Sequence, residues 1–227
     1  MIPGPSIVRE CSACGKFFIE DTVSSGNTFG ARFWTDGKIK APMLPDQPEL
    51  VKCEFCGALI WIEEQKPIGE IAPAERRYGY KEPPPVNEGV NNSKAGRFTG
   101  VIPGLTPTFW DYARLIKAGV DDKQKERYLR LRAWWAGNDP RRKPDQSEPT
   151  PLDPFEIENL RALITFLNES DDHDRLMKAE ALRELGEFEE AESLLATEFE
   201  GTFKKVASII QDLNQRHITT VAEMDLE

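Results

Sequence analysis

The sequence predicts an α+β protein in which a small antiparallel β module precedes an all-α domain, and three observations carry that reading. All four cysteines of the 227-residue chain lie in two Cys-x-x-Cys-Gly elements, Cys11-Ser12-Ala13-Cys14-Gly15 and Cys53-Glu54-Phe55-Cys56-Gly57. Strand and turn residues fill the segment around and between them. Of 17 prolines, five precede residue 67, seven fall from Pro67 to Pro107, five from Pro140 to Pro154 and none later, so the last third is free to be helical. The expected division is therefore a module at 1–66, a Pro/Gly-rich linker at 67–106 and a helical domain at 107–227 with a Pro-rich interruption at 138–154.

Each cysteine pair suits a tight turn with both sulfurs facing inward, and the following glycine lets backbone N–H groups approach the sulfurs without a Cβ clash. Cys11, Cys14, Cys53 and Cys56 are thus the expected ligands of one tetrahedral ion. Zinc is the expected metal, with iron in a rubredoxin-like site or a redox dithiol as alternatives. His173 and His217 lie far along the chain and are not expected as ligands. Four protein sulfurs leave no coordination position for water or substrate, which makes such a metal structural. Two disulfides are the rival. Met1-Ile2-Pro3-Gly4-Pro5 does not open a signal peptide, and the longest apolar run, Ala58-Leu59-Ile60-Trp61-Ile62, is far short of the roughly 20 residues of a membrane span. The expectation is a reducing, cytoplasmic setting in which thiols stay free for metal.

Between the pairs, Ala31-Arg32-Phe33-Trp34 and Lys38-Ile39-Lys40 flank Thr35-Asp36-Gly37, and an Asp-Gly pair predicts a hairpin with a type I′ turn. Phe17-Phe18-Ile19 and Ala58-Leu59-Ile60-Trp61-Ile62 follow the two knuckles as further strands. Two Cys-x-x-Cys-Gly knuckles, each followed by an apolar strand, resemble the zinc-ribbon superfamily over about the first 66 residues. That resemblance implies a fold and a structural zinc, not an activity. The Ser25-Gly26-Asn27-Thr28-Phe29-Gly30, Trp34-Thr35-Asp36-Gly37-Lys38 and Ala41-Pro42-Met43-Leu44-Pro45 stretches are similar to those of bacterial proteins that pair a ribbon with helices. No activity comes with that likeness either. Ser24–Gly30 lacks the Gly-Lys-Ser/Thr ending of a phosphate loop and reads as a turn. In the linker, Pro83-Pro84-Pro85 reads as an extended spacer, and Arg76-Arg77-Tyr78-Gly79-Tyr80 offers two tyrosines to either neighbour.

Helix punctuation is clear further on. Thr106 as N-cap, Pro107 at the first position and Gly119 at the end bracket one helix. Asp121 or Asp122 starts a second, running to Gly137-Asn138. Asp153-Pro154-Phe155-Glu156 is a capping box, after which Ile157, Leu160, Leu163, Ile164 and Leu167 mark one face. A pair at about 172–185 and 188–199 turns at Gly186, and a last helix begins at Thr202. Leu182, Gly186, Phe188, Glu190, Ala191 and Leu195 resemble the middle of a tetratricopeptide repeat, which implies small residues between closely paired helices and tetratricopeptide-like packing. One such hairpin implies a compact helical domain rather than a solenoid.

The net charge of −10 conceals an uneven distribution. Residues 1–66 carry 7 basic and 9 acidic groups, 67–150 carry 15 and 11, and 151–227 carry 7 and 19, giving balances of −2, +4 and −12. The basic groups concentrate at Lys123, Lys125, Arg127, Arg130, Arg132, Arg141, Arg142 and Lys143, beside Trp134 and Trp135. Cations with aromatics are what a single-strand surface combines, whereas intramolecular pairing with the acidic C-terminal part and a core role for the tryptophans is the favoured expectation. Nucleophile-elbow, phosphate-loop, dinucleotide and His-Glu-x-x-His motifs are absent, and Asp172-His173-Asp174 reads as a helix start with favourable dipole charge. The favoured function is a non-enzymatic interaction or adaptor protein with one structural zinc and an unidentified protein partner. Its alternatives are a nucleic-acid-associated factor using the ribbon and the basic stretch 123–143, and an enzyme whose site forms no motif.

Overall fold

The structure, a computed structural model, describes residues 1–73, 98, 100–142 and 150–226. The described strands are β1 (Ile2–Pro3), β2 (Ser6–Glu10), β3 (Phe17–Glu20), β4 (Val23–Ser25), β5 (Arg32–Trp34), β6 (Ile39–Lys40), β7 (Leu50–Lys52), β8 (Leu59–Trp61), β9 (Lys66–Ile71) and β10 (Glu223–Met224). The described α-helices are α1 (Phe109–Ala118), α2 (Lys123–Asn138), α3 (Pro154–Leu163), α4 (Asp172–Glu184), α5 (Phe188–Leu195) and α6 (Gly201–Gln215). Small antiparallel sheets around the cysteines thus precede six helices, and the class is α+β. No described helix is long and apolar enough to cross a membrane.

Two compact units emerge, Met1–Ala31 with Ala41–Pro107, and Arg32–Lys40 with Thr108–Glu227. In the first, β2 is the middle strand of a β3-β2-β9 sheet, with β1 paired to β4 and β7 to β8. Alternation along β2 sends Val8 into a cluster with Ile19 and Phe98. The segment expected as linker begins inside β9. Pro67 pairs with Arg9 where the β2–β9 register shifts, a position at which a missing N–H is tolerated. Gly69 is pressed against Phe98, whose ring would lie 2.7 Å from an added Cβ. Arg76-Arg77-Tyr78-Gly79-Tyr80 and Pro83-Pro84-Pro85 lie outside the described residues, as does Lys143.

The Thr35-Asp36-Gly37 hairpin forms as expected but belongs to the helical unit, where β5 also pairs with β10. Its turn is not type I′. Trp34 and Lys38 close the loop through the Trp34 N–H and the Lys38 carbonyl, and Gly37 alone takes a positive φ of 76°, which makes a three-residue loop with glycine at the left-handed position. Type I′ needs positive φ at two successive residues, and Asp36 does not adopt it.

In the helical unit the first helix starts later than expected. Thr108, not Thr106, is its N-cap and forms a capping box with Asp111. Asp122 caps α2 and Asp153 caps α3. Leu160, Leu163, Trp134, Met177 and Ala181 join α2, α3 and α4 in one cluster, while Leu176, Ala179, Leu195, Ala207 and Ile210 join α4, α5 and α6 in another. Helix α4 therefore sits in both, leaving almost none of its second half to solvent. Gly186, at φ 80°, ends it with the Glu187 N–H on the Leu182 carbonyl and its own on Arg183. His217, at φ 53°, repeats that geometry after α6 on Leu213 and Asn214.

Candidate metal centre

Each knuckle sits at the tip of a hairpin: the first joins β2 to β3, the second β7 to β8. The turns are alike. Gly15 N–H donates to the Cys11 carbonyl and Gly57 N–H to the Cys53 carbonyl, both at 2.8 Å, while the Cys11 and Cys53 amides close onto Lys16 and Ala58. Gly15 and Gly57 have φ of 70° and 72°. The glycine is required by that left-handed backbone rather than by crowding at sulfur, because a Cβ at either site would meet nothing nearer than 3.8 Å.

The hairpins bring the four sulfurs together. Cys11 Sγ lies 3.9 Å from Cys56 Sγ and Cys14 Sγ 3.8 Å from Cys53 Sγ, and all four fall within 4.8 Å of one another. Sulfurs held about 2.3 Å from a tetrahedral ion are spaced by about 3.8 Å, so the donor set fits a single metal ion. The cysteines are free thiols, not disulfides. One sulfur of each knuckle is buried and one exposed: Cys11 and Cys53 pack with Phe18, Val51, Ile60 and Ile62, while Cys14 and Cys56 face solvent.

Ionisation of the cluster is contested among its members. Burial pushes the Cys11 thiol up, against N–H bonds from Ala13 and Cys14. The Lys16 N–H favours the Cys14 thiolate, yet desolvation and the Cys56, Cys11 and Cys53 thiols together push it up to about 12. At Cys53 desolvation is outweighed by N–H bonds from Cys56 and Phe55, and the thiol is lowered. Four adjacent thiolates need a cation to coexist, and a bound metal supplies it.

Sequence reasoning missed Gln65. This buried side chain accepts from the Ser12 N–H at 2.9 Å and donates to the Trp61 carbonyl at 3.0 Å, while the backbone carbonyl of Gln65 accepts from Arg9 at 2.8 Å. It thereby ties the first knuckle to the end of β8. No motif marks a glutamine for this work.

The helical unit holds a second polar centre. Asp36 is fully buried, accepts from Arg142 and from Asn138 Nδ2 at 3.1 Å, and its carbonyl receives Trp135 Nε1 at 2.9 Å. Asn138 and Trp134 also donate to Glu184, and Arg183 pairs with Glu180 at 2.6 Å while donating to the Ile218 and Thr220 carbonyls. Burial first, then the Glu180 and Asp36 carboxylates, hold the Glu184 carboxyl well above the usual range. Three carboxylates face two guanidiniums, and Glu184 is the surplus acid.

The basic stretch is largely committed inside this unit. Arg127 meets Asp174, Arg130 meets Glu126, Arg141 grips Glu156 through two 2.7 Å bonds, Arg142 meets Asp36 and Asp139, and Arg132 lies over the Tyr128 and Trp135 rings. At Asp172-His173-Asp174, His173 is exposed and Asp174 is taken by Arg127 and the Asn168 N–H, as a helix start requires. Elsewhere on the cysteine-bearing unit, Ile2, Met43 and Leu44 are exposed apolar side chains, and the Met1 amino group lies 3.8 Å from the Met43 sulfur. They adjoin a cleft of about 410 Å³ walled by Pro3, Pro45, Pro48 and Pro103.

No protein-family model, curated protein or solved structure matches the chain.

Proposed function

We propose that this chain is a non-enzymatic interaction protein, built as a zinc-ribbon-like module and a tetratricopeptide-like helical module, with one structural zinc on Cys11, Cys14, Cys53 and Cys56. The observation that carries the reading is the closed sulfur set: its spacing matches a four-sulfur ion, which would have no open position for substrate. Thiolate ligands and tetrahedral spacing favour zinc over harder ions. When bound, the metal supplies a cross-link between two hairpins and neutralises their sulfurs. Cys11 and Cys53 then anchor the ion to the core, Cys14 and Cys56 close it from the solvent side, and Gln65 keeps the first knuckle in register with β8.

A protein partner is supported by the exposed Ile2, Met43 and Leu44, chain neighbours of Pro3 and Pro45 in a proline-walled cleft, because apolar side chains exposed beside a cleft suit a protein surface. A phosphate backbone would need clustered cations that are not already satisfied, and the arginines of α2 and the turn after it are used within their own unit. Cross-linking of the native protein in cell extract should place partner cross-links on the Ile2–Leu44 surface, and Met43→Asp with Leu44→Asp should abolish co-purification of that partner. A partner retained by the double variant, or tight binding of single-stranded RNA at about 150 mM salt, would overturn the reading.

A further inference from the structure

We infer that the metal site and the seat of the Arg32–Lys40 hairpin are thermodynamically linked, so that filling the one tightens the other. The ligand pairs close a loop: 38 residues separate Cys14 from Cys53, and the nine residues Arg32–Lys40 in its middle belong to the helical unit. The chain leaves the cysteine-bearing unit after Ala31 and returns to it at Ala41. Its excursion is not superficial. Asp36 at the tip has no solvent exposure and carries Arg142 and Asn138, the Thr35 N–H reaches the Ala222 carbonyl at 2.9 Å, and the Ala222 N–H returns to Thr35 Oγ1 at 3.1 Å. Met177 Sδ approaches Gly37 so closely that an added Cβ would lie 2.5 Å from it. Only a glycine with φ 76° passes there.

A metal that binds the ordered knuckles and not the disordered chain fixes both ends of this loop, so less chain freedom remains to be lost when the hairpin seats. Reciprocity then requires that a well-seated hairpin strengthen metal binding by the same factor. The side chain that transmits this is Asp36, which acts as a positioning residue.

Two measurements on the full chain test it. Zinc affinity, read by competition with a chromophoric chelator, should fall about tenfold in Asp36→Asn, towards the lower end of the usual range of site-to-site coupling. In the native chain, chelating zinc should raise hydrogen exchange at the Trp34, Thr35 and Gly37 amides while leaving α5 unchanged. Zinc affinity of Asp36→Asn within twofold of native, or hairpin exchange indifferent to chelation, would overturn the linkage. If Asp36→Asn does not fold, the native-chain exchange decides alone.

Discussion

The two units each gather ionisable side chains into one cluster, and the two clusters call for neutralisation by opposite routes. The cysteine-bearing unit gathers four thiols that compete for ionisation and would coexist as thiolates only around a cation from outside. The helical unit gathers Asp36, Glu180 and Glu184 against Arg142 and Arg183, all supplied by the chain. The difference follows from how much apolar surface each unit can bury. Short strands of two to six residues make small clusters, and a metal cross-link would supplement them in the first unit. Six helices bury enough to tolerate charges in the core provided each has a partner.

Breaking the cross-link should have the largest effect. Cys53→Ser removes a buried ligand and should leave the first unit unfolded, seen as loss of bound metal and of its dispersed NMR signals, with helical circular dichroism retained. Loss of most helical signal would show that the second unit does not stand without the metal.

Next comes the internal ion pair. Arg183→Met leaves the Glu180 carboxylate buried and unpaired together with the Ile218 and Thr220 carbonyls, and should destabilise the helical unit by about 3–5 kcal/mol. Restoring stability by adding Glu180→Met, measured by urea unfolding, separates the unpaired charge from lost packing.

The surplus acid gives a smaller, pH-dependent effect. Because the folded-state pKa of Glu184 is raised above the ordinary 4.5, its proton contributes stability in full below that value, and the contribution is lost as pH rises through the raised one. Native stability relative to Glu184→Gln should therefore decline from pH 4.5 upward. An unchanged difference between pH 5 and 9 would place Glu184 outside the polar centre. Smallest of all, neutralising Arg216, whose pairing with Asp212 is exposed, should shift stability by under about 1 kcal/mol.

What the sequence made legible is what local chemistry decides. The cysteine spacing, the caps at Asp122 and Asp153 and the turn at Gly186 each depend on a few neighbouring residues. The home of the 32–40 hairpin was not legible, since its deciding contacts join Asp36 to Asn138 and Arg142 more than 100 residues later. Strand β9 was hidden by Pro67 and Gly69, which weaken a strand pattern but fit a register shift and a close ring. Helix α2 ends at Asn138 as expected, but the packing reason for Gly137 was not legible: the missing side chain makes room for Glu156, which would lie 2.2 Å from a Cβ. The burial of Glu180, Arg183 and Glu184 was masked because α4 reads as a polar helix. Only its position between two clusters shows why those charges had to find one another.

One four-sulfur metal should complete the first unit. Elemental analysis of the purified chain combined with X-ray absorption at the zinc edge tests it most directly. One zinc per chain with four sulfurs at about 2.3 Å is the predicted result. A metal-free, folded protein, or a shell containing nitrogen or oxygen ligands in place of any of the four sulfurs, would contradict it.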